Sequence, residues 1–75
     1  MATKVARMMM LEKASNHVGQ VVLAAEIGIN ERSLRAKFTA DRGVSDDDLE
    51  AAARALERHA AKMLDDVRKI RAMVA

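Results

Sequence analysis

The 75-residue chain contains no cysteine, no proline, no tryptophan and no tyrosine. Phe38 is its only aromatic residue, and glycine occurs three times, at positions 19, 28 and 43. Each shortage excludes something. Without cysteine there is no disulfide framework, no thiolate metal site and no redox motif. Without regular proline and glycine punctuation a β-sandwich lacks its turns. Three scattered glycines cannot form a phosphate-cradling loop. Scarce aromatics remove the stacking platforms that hold RNA loops and single strands. Long apolar runs are missing too. Met8-Met9-Met10-Leu11 falls far short of a secretory core or a membrane span, so the expectation is a cytoplasmic protein with no membrane association.

What is present points to helix. Hydrophobic residues make up 51% of the chain, but 15 of them are alanine and six are methionine. Alanine with abundant Glu, Asp, Lys and Arg, and no proline, is an all-α composition. The length predicts one small domain, residues 1–75, that buries only about 60% of the surface its unfolded chain exposes. An enclosed catalytic cleft does not fit that size. Ser15, Ser33 and Ser45 have no triad context, and Asp46 to Asp48 lack the alternating ligands and glycine of a calcium loop. His17 and His59 stand alone and read as surface residues. The expectation is therefore no enzyme, no metal, no cofactor and no small-molecule substrate. Charge is nearly balanced at +2. The basic excess lies in residues 1–42, and residues 43–75 are net acidic by one. That balance permits nucleic-acid binding without demanding it.

Helix boundaries follow from caps and breakers. Thr3 is a candidate N-cap for a first helix ending near Asn16 and His17, where Gly19 interrupts the pattern. In that helix Met8, Met9 and Met10 read as adaptable core filler. Gln20–Ile27 is short and apolar. Val21 and Val22 would suit a strand, but no second strand exists to satisfy its backbone groups, so helix is the reading. Gly28 ends it in a left-handed turn. Asn30 caps a third helix running through Leu34 and Phe38 to about Ala40, and residues 41–43 read as a turn. Ser45 and Asp48 resemble a capping box that opens a last helix, with Asp46, Asp47 and Asp48 at its positive end.

Nothing after Ser45 breaks that last helix, expected over 46–74. About 28 residues at 1.5 Å each give roughly 42 Å, longer than a domain of this size is wide, about 30 Å. Either the helix breaks near His59 or its end packs on another chain. Leu49, Ala53, Leu56, Ala60, Met63, Val67, Ile70 and Val74 repeat at spacings of four and three, an unbroken heptad stripe. A core face accounts equally well for its first half. Too little other chain remains to cover the second half, where Met63, Leu64, Val67, Ile70, Met73 and Val74 form the expected homodimer interface.

One constellation carries function. Gln20, Ala24, Gly28, Ile29 and Leu34 occupy positions 1, 5, 9, 10 and 15 of one segment. A small residue lets a second helix cross closely, a glycine makes the turn, and two apolar residues pack the second helix on the first. That is helix-turn-helix geometry, with a core over 20–40, in which the second helix is presented to a major groove. The segment from Gln20 to about Leu56 resembles the phage repressor and Cro family of helix-turn-helix proteins, including its following Ala-rich helix in Ser45–Leu56. The chain departs from that family where Lys37 takes a usually apolar position, with Phe38 beside it filling the core, and where one long helix replaces two short ones.

The resemblance implies a compact lambda-repressor-like domain of about four helices and a set of DNA contacts. Gln20 would clamp phosphate. Asn30 would cap the recognition helix and touch phosphate. Glu31, Arg32, Ser33 and Arg35 would face the groove, with Arg32 and Arg35 placed to read guanine. Thr39 would meet a base or phosphate. Lys37 and Arg42 would bind phosphate and supply affinity more than sequence choice. A solvated charged face explains the same cations with no ligand at all. The expected function is a small dimeric transcription regulator, a repressor of phage or mobile-element type, on a near-palindromic double-stranded operator. The alternative is a protein-interaction module, such as an antitoxin or inhibitor that masks a partner.

Overall fold

The computed structural model describes residues 3–39 and 43–75, which hold four helices and no strand. They are α1 (Lys4–Val18), α2 (Gln20–Ile27), α3 (Glu31–Lys37) and α4 (Asp46–Val74). The fold is all-α, as composition predicts.

Three of the helices start on the caps the sequence offers. The Thr3 hydroxyl accepts from the Ala6 N–H at 3.1 Å, and the Asn30 side chain accepts from the Ser33 N–H at 2.7 Å. Ser45 and Asp48 close a full capping box: the Ser45 hydroxyl accepts from the Asp48 N–H at 3.1 Å, and the Asp48 carboxylate from the Ser45 N–H at 3.0 Å. Aspartate thus replaces the usual glutamate or glutamine without loss of the reciprocal bond. Gly28 ends α2 with φ 88° and ψ 30°, the left-handed conformation expected of it. Gly19 is different. Its φ of 90° and ψ of 151° lie outside the left-handed helical well. Its N–H bonds to the Ser15 carbonyl at 2.7 Å, and its carbonyl accepts from the Leu23 N–H at 3.1 Å. One residue closes α1 and opens α2. The first helix therefore runs slightly past His17, to Val18.

The third helix is shorter than predicted. Phe38 is its C-cap, and its N–H bonds back to the Arg35 carbonyl at 3.1 Å, a tightened last turn. The Thr39 hydroxyl then donates to the Ala36 carbonyl at 2.9 Å, so a side chain satisfies an orphan carbonyl and α3 stops at Lys37. The rest of the predicted extent, at Ala40, and most of the predicted 41–43 turn lie outside the described residues.

The core is small and built mostly from leucine and alanine. Leu11, Ala14, Leu23, Ala24, Leu34, Val44, Ala52 and Ala55 form one buried cluster, edged by Met8, Val18, Ile27, Ile29, Phe38, Leu49 and Leu56. Leu11, Leu23 and Leu34, one each from α1, α2 and α3, are wholly buried. The alanines at the centre let α4 approach α1 and α2 closely. Met9 and Met10 do not fill the core: both are more than half exposed, because α1 turns Leu11, Ala14 and Ser15 inward and leaves them on its outer faces.

Helix α4 is continuous through His59, so no break relieves its length. The molecule measures 51 × 27 × 16 Å. The face that α4 buries is Asp48, Ala51, Ala52 and Ala55, with Leu49, Leu56 and His59 half-buried beside it. Ala53 is exposed, so the heptad stripe is not the core face along its whole first half. His59 is also more covered than a surface histidine. Every residue from Ala60 to Ala75 is exposed.

Candidate nucleic-acid interface

The helix-turn-helix segment assembles around its five spaced residues. Ala24 and Leu34 are buried, Ile29 packs on the core, and Gly28 makes the turn. The Gly28 and Ile29 N–H groups both bond to the Ala24 carbonyl, at 2.9 and 3.0 Å, so the turn hangs from one oxygen. Gln20, at the start of α2, is half-buried, and its Oε1 accepts from Arg35 Nη1 at 3.3 Å. That contact joins the first position of the motif to the residue just after its fifteenth, across the surface of the unit.

The outward side of α3 carries Glu31, Arg32 and Arg35, all exposed. Arg35 lies 4.0 Å from the Glu31 carboxylate one turn earlier. Its guanidinium is thus held between Gln20 and Glu31, pointing out of the fold. Asn30 is exposed and its side chain is engaged as the helix cap. Ser33 is half-buried. Thr39 is exposed at the end of α3, with its hydroxyl turned to the Ala36 carbonyl. Arg42 lies outside the described residues.

Lys37, assigned to phosphate by its position, faces the other way. Its Nζ sits 2.8 Å from Asp48 Oδ2, and also donates to the Gly43 carbonyl at 3.4 Å. The two side chains are only 16% and 9% exposed, so the pair is nearly sealed from water. Burial works against the Asp48 charge. The Lys37 ammonium, together with the Ser45 N–H and hydroxyl, outweighs it and holds the carboxyl below the ordinary carboxylate range. The cation in the usually apolar position of the motif therefore ties the end of α3 to the start of α4.

Other charged contacts fix the frame and were not legible from the sequence. Glu26 is paired with both Arg54, at 3.4 Å, and Arg58, which locks α2 to α4. Arg7 donates to the Val44 carbonyl at 2.9 Å and pairs with Asp46, which anchors α1 to the start of α4. The available signal was Glu26 itself, the single charge in α2. Among the described residues no group of His, Asp and Glu is placed to hold a metal ion, and no helix is long and apolar enough to cross a membrane. The six predicted interface residues, Met63, Leu64, Val67, Ile70, Met73 and Val74, lie together on the projecting end of α4, between 41% and 85% exposed. No known protein family, curated protein or solved structure matches this chain.

Proposed function

We propose that the chain is a sequence-specific double-stranded DNA-binding protein that works as a small dimeric regulator. The observation that carries this reading is the α2–turn–α3 unit. Its buried Ala24 and Leu34 and its left-handed Gly28 set a short helix on the surface, and that helix presents Arg32 and Arg35 outward. Arg35, held against Gln20, is pre-positioned, so less side-chain freedom is lost when its fork meets a guanine edge. Gln20 and Thr39 flank it and supply phosphate contacts. Lys37 supports the interface from inside and touches no DNA. Repression of a phage or mobile-element operator is the regulatory form that the resemblance suggests.

Selection from random duplex DNA with the purified protein tests this. The expected product is a two-fold symmetric motif. Arg35→Ala then weakens binding to that motif by about 1–3 kcal/mol at fixed salt and relaxes one base position. No enrichment, or an unchanged affinity for Arg35→Ala, overturns the reading.

A second reading rests on a different observation. Val5, Met9, Met10, Val21 and Val22 are all at least half exposed on α1 and α2. A protein partner docking there, as in an antitoxin or inhibitor, would bind with weak salt dependence. A DNA complex loses affinity steeply as salt rises.

A further inference from the structure

The projecting half of α4 carries two faces that do not coincide. The face that α4 buries in its own fold runs through Asp48, Ala52, Ala55 and His59. Continued at the same spacing it becomes Lys62, Asp66 and Lys69, which are charged, and ends on Met73. The exposed apolar stripe, Ala60, Met63, Val67, Ile70 and Val74, lies on the neighbouring face. At its base the stripe is continuous with Leu49 and Leu56, which pack on the edge of the core, but from Ala60 onward it is exposed and the chain's own body does not cover it.

We propose that a second copy of this chain covers the stripe with its α4 antiparallel, in a register where residue numbers facing each other add to about 130. This rests on the dimer in the reading above, and not on DNA binding. In that register Met63 meets Val67 of the other copy, Ala60 meets Ile70, and Leu56 meets Val74. Ala60 faces the large Ile70, and Met63 and Leu56 each face a valine, so every apolar residue of the stripe meets an apolar partner. The residues beside the stripe also find partners. Leu64 meets its own copy near the two-fold axis, Met73 covers His59, and Glu57 meets Arg71, giving two opposite-charge pairs per dimer. The two Asp66 carboxylates approach across the axis, each with Lys62 one turn away on its own helix.

Parallel pairing does less with the same residues. It matches Asp66 to Arg71, but sets Ala60 against Ala60 and leaves Met73 beyond any flanking partner. It also brings both helical bodies to the same end, where the face next to the stripe is already occupied by the rest of the fold. Only residues 63–74 then meet, about two heptads, whereas the antiparallel register engages 56–74 on each chain. Short helical contacts are weak, so the longer overlap decides between them.

The chain has no cysteine, so a single introduced cysteine carries a spin label at one known place. Ala75→Cys and Ala61→Cys lie off the stripe and at exposed positions. With a rise of 1.5 Å per residue, the antiparallel register separates the two copies of position 75 by about 30 Å along the axis, and those of position 61 by about 12 Å. The expected electron–electron distance is accordingly much longer for the Ala75→Cys protein. Equal, short distances at both positions overturn the orientation while leaving a dimer. A monomer by sedimentation at every concentration, or a spread of distances from a larger assembly, overturns the pairing itself. DNA selection reads the other proposal independently.

Discussion

At the scale of single residues the Lys37–Asp48 pair is the most consequential contact. A cation and an anion removed from water are tolerated because each satisfies the other, and Asp48 also accepts from the Ser45 N–H. Lys37→Met leaves a buried carboxylate without its partner and is expected to cost about 3–5 kcal/mol, read from urea unfolding. The pH dependence follows from the lowered Asp48 value. A carboxyl held below its unfolded value, about 3.9, contributes full stability above that value and loses it as pH falls through the folded one. Asp48→Asn is expected to flatten that part of the acid slope below about pH 4. An unchanged slope would show that other carboxylates govern acid unfolding. This pair also marks where the sequence was readable and where it was not. The motif position of Lys37 was visible, and so was the Ser45–Asp48 cap. That one carboxylate serves both depends on how α3 and α4 cross, which no local spacing encodes.

Among the elements, the two glycine turns differ in a testable way. Open space surrounds a methyl group added at Gly19 or Gly28, so the cost of substitution is backbone conformation alone. Gly28 sits in the left-handed well, which asparagine tolerates, and Gly19 sits in a region open essentially only to glycine. Gly28→Asn is expected to be mild. Gly19→Asn should cost about 1–3 kcal/mol, as measured by thermal or urea unfolding. Equal effects would contradict the backbone account. The helix starts and the Gly28 stop were legible because caps and left-handed glycines are local chemistry. The early end of α3 was not, since it depends on the Thr39 hydroxyl reaching back to Ala36. The exposure of Met9 and Met10 was not legible either, because a run of three methionines must cover most of the way around a helix.

Taken as a whole molecule, the chain is a small body with a projecting rod. Residues 60–75 touch little of their own fold, so deleting 62–75 is expected to leave helices α1 to α3 and their packing on α4 in place. The truncated chain should unfold cooperatively with a midpoint independent of concentration. On the proposed dimer, the full chain should melt at higher temperature as its concentration rises. A concentration-independent midpoint for the full chain would argue against self-association. The stripe was readable from its heptad spacing. Its offset from the buried face was not, because it depends on where the body sits around α4.

The clamp at the base of α4 has a mechanical consequence. Asp48 holds both the first turn of that helix and the last residue of α3, and Glu26 grips α2 to the same rod through Arg54 and Arg58. A rigid rod fixed to both helices of the turn unit transmits torque. On the proposed dimer, the orientation that the tip of α4 takes on its partner also fixes the orientation of the surface that carries Arg32 and Arg35.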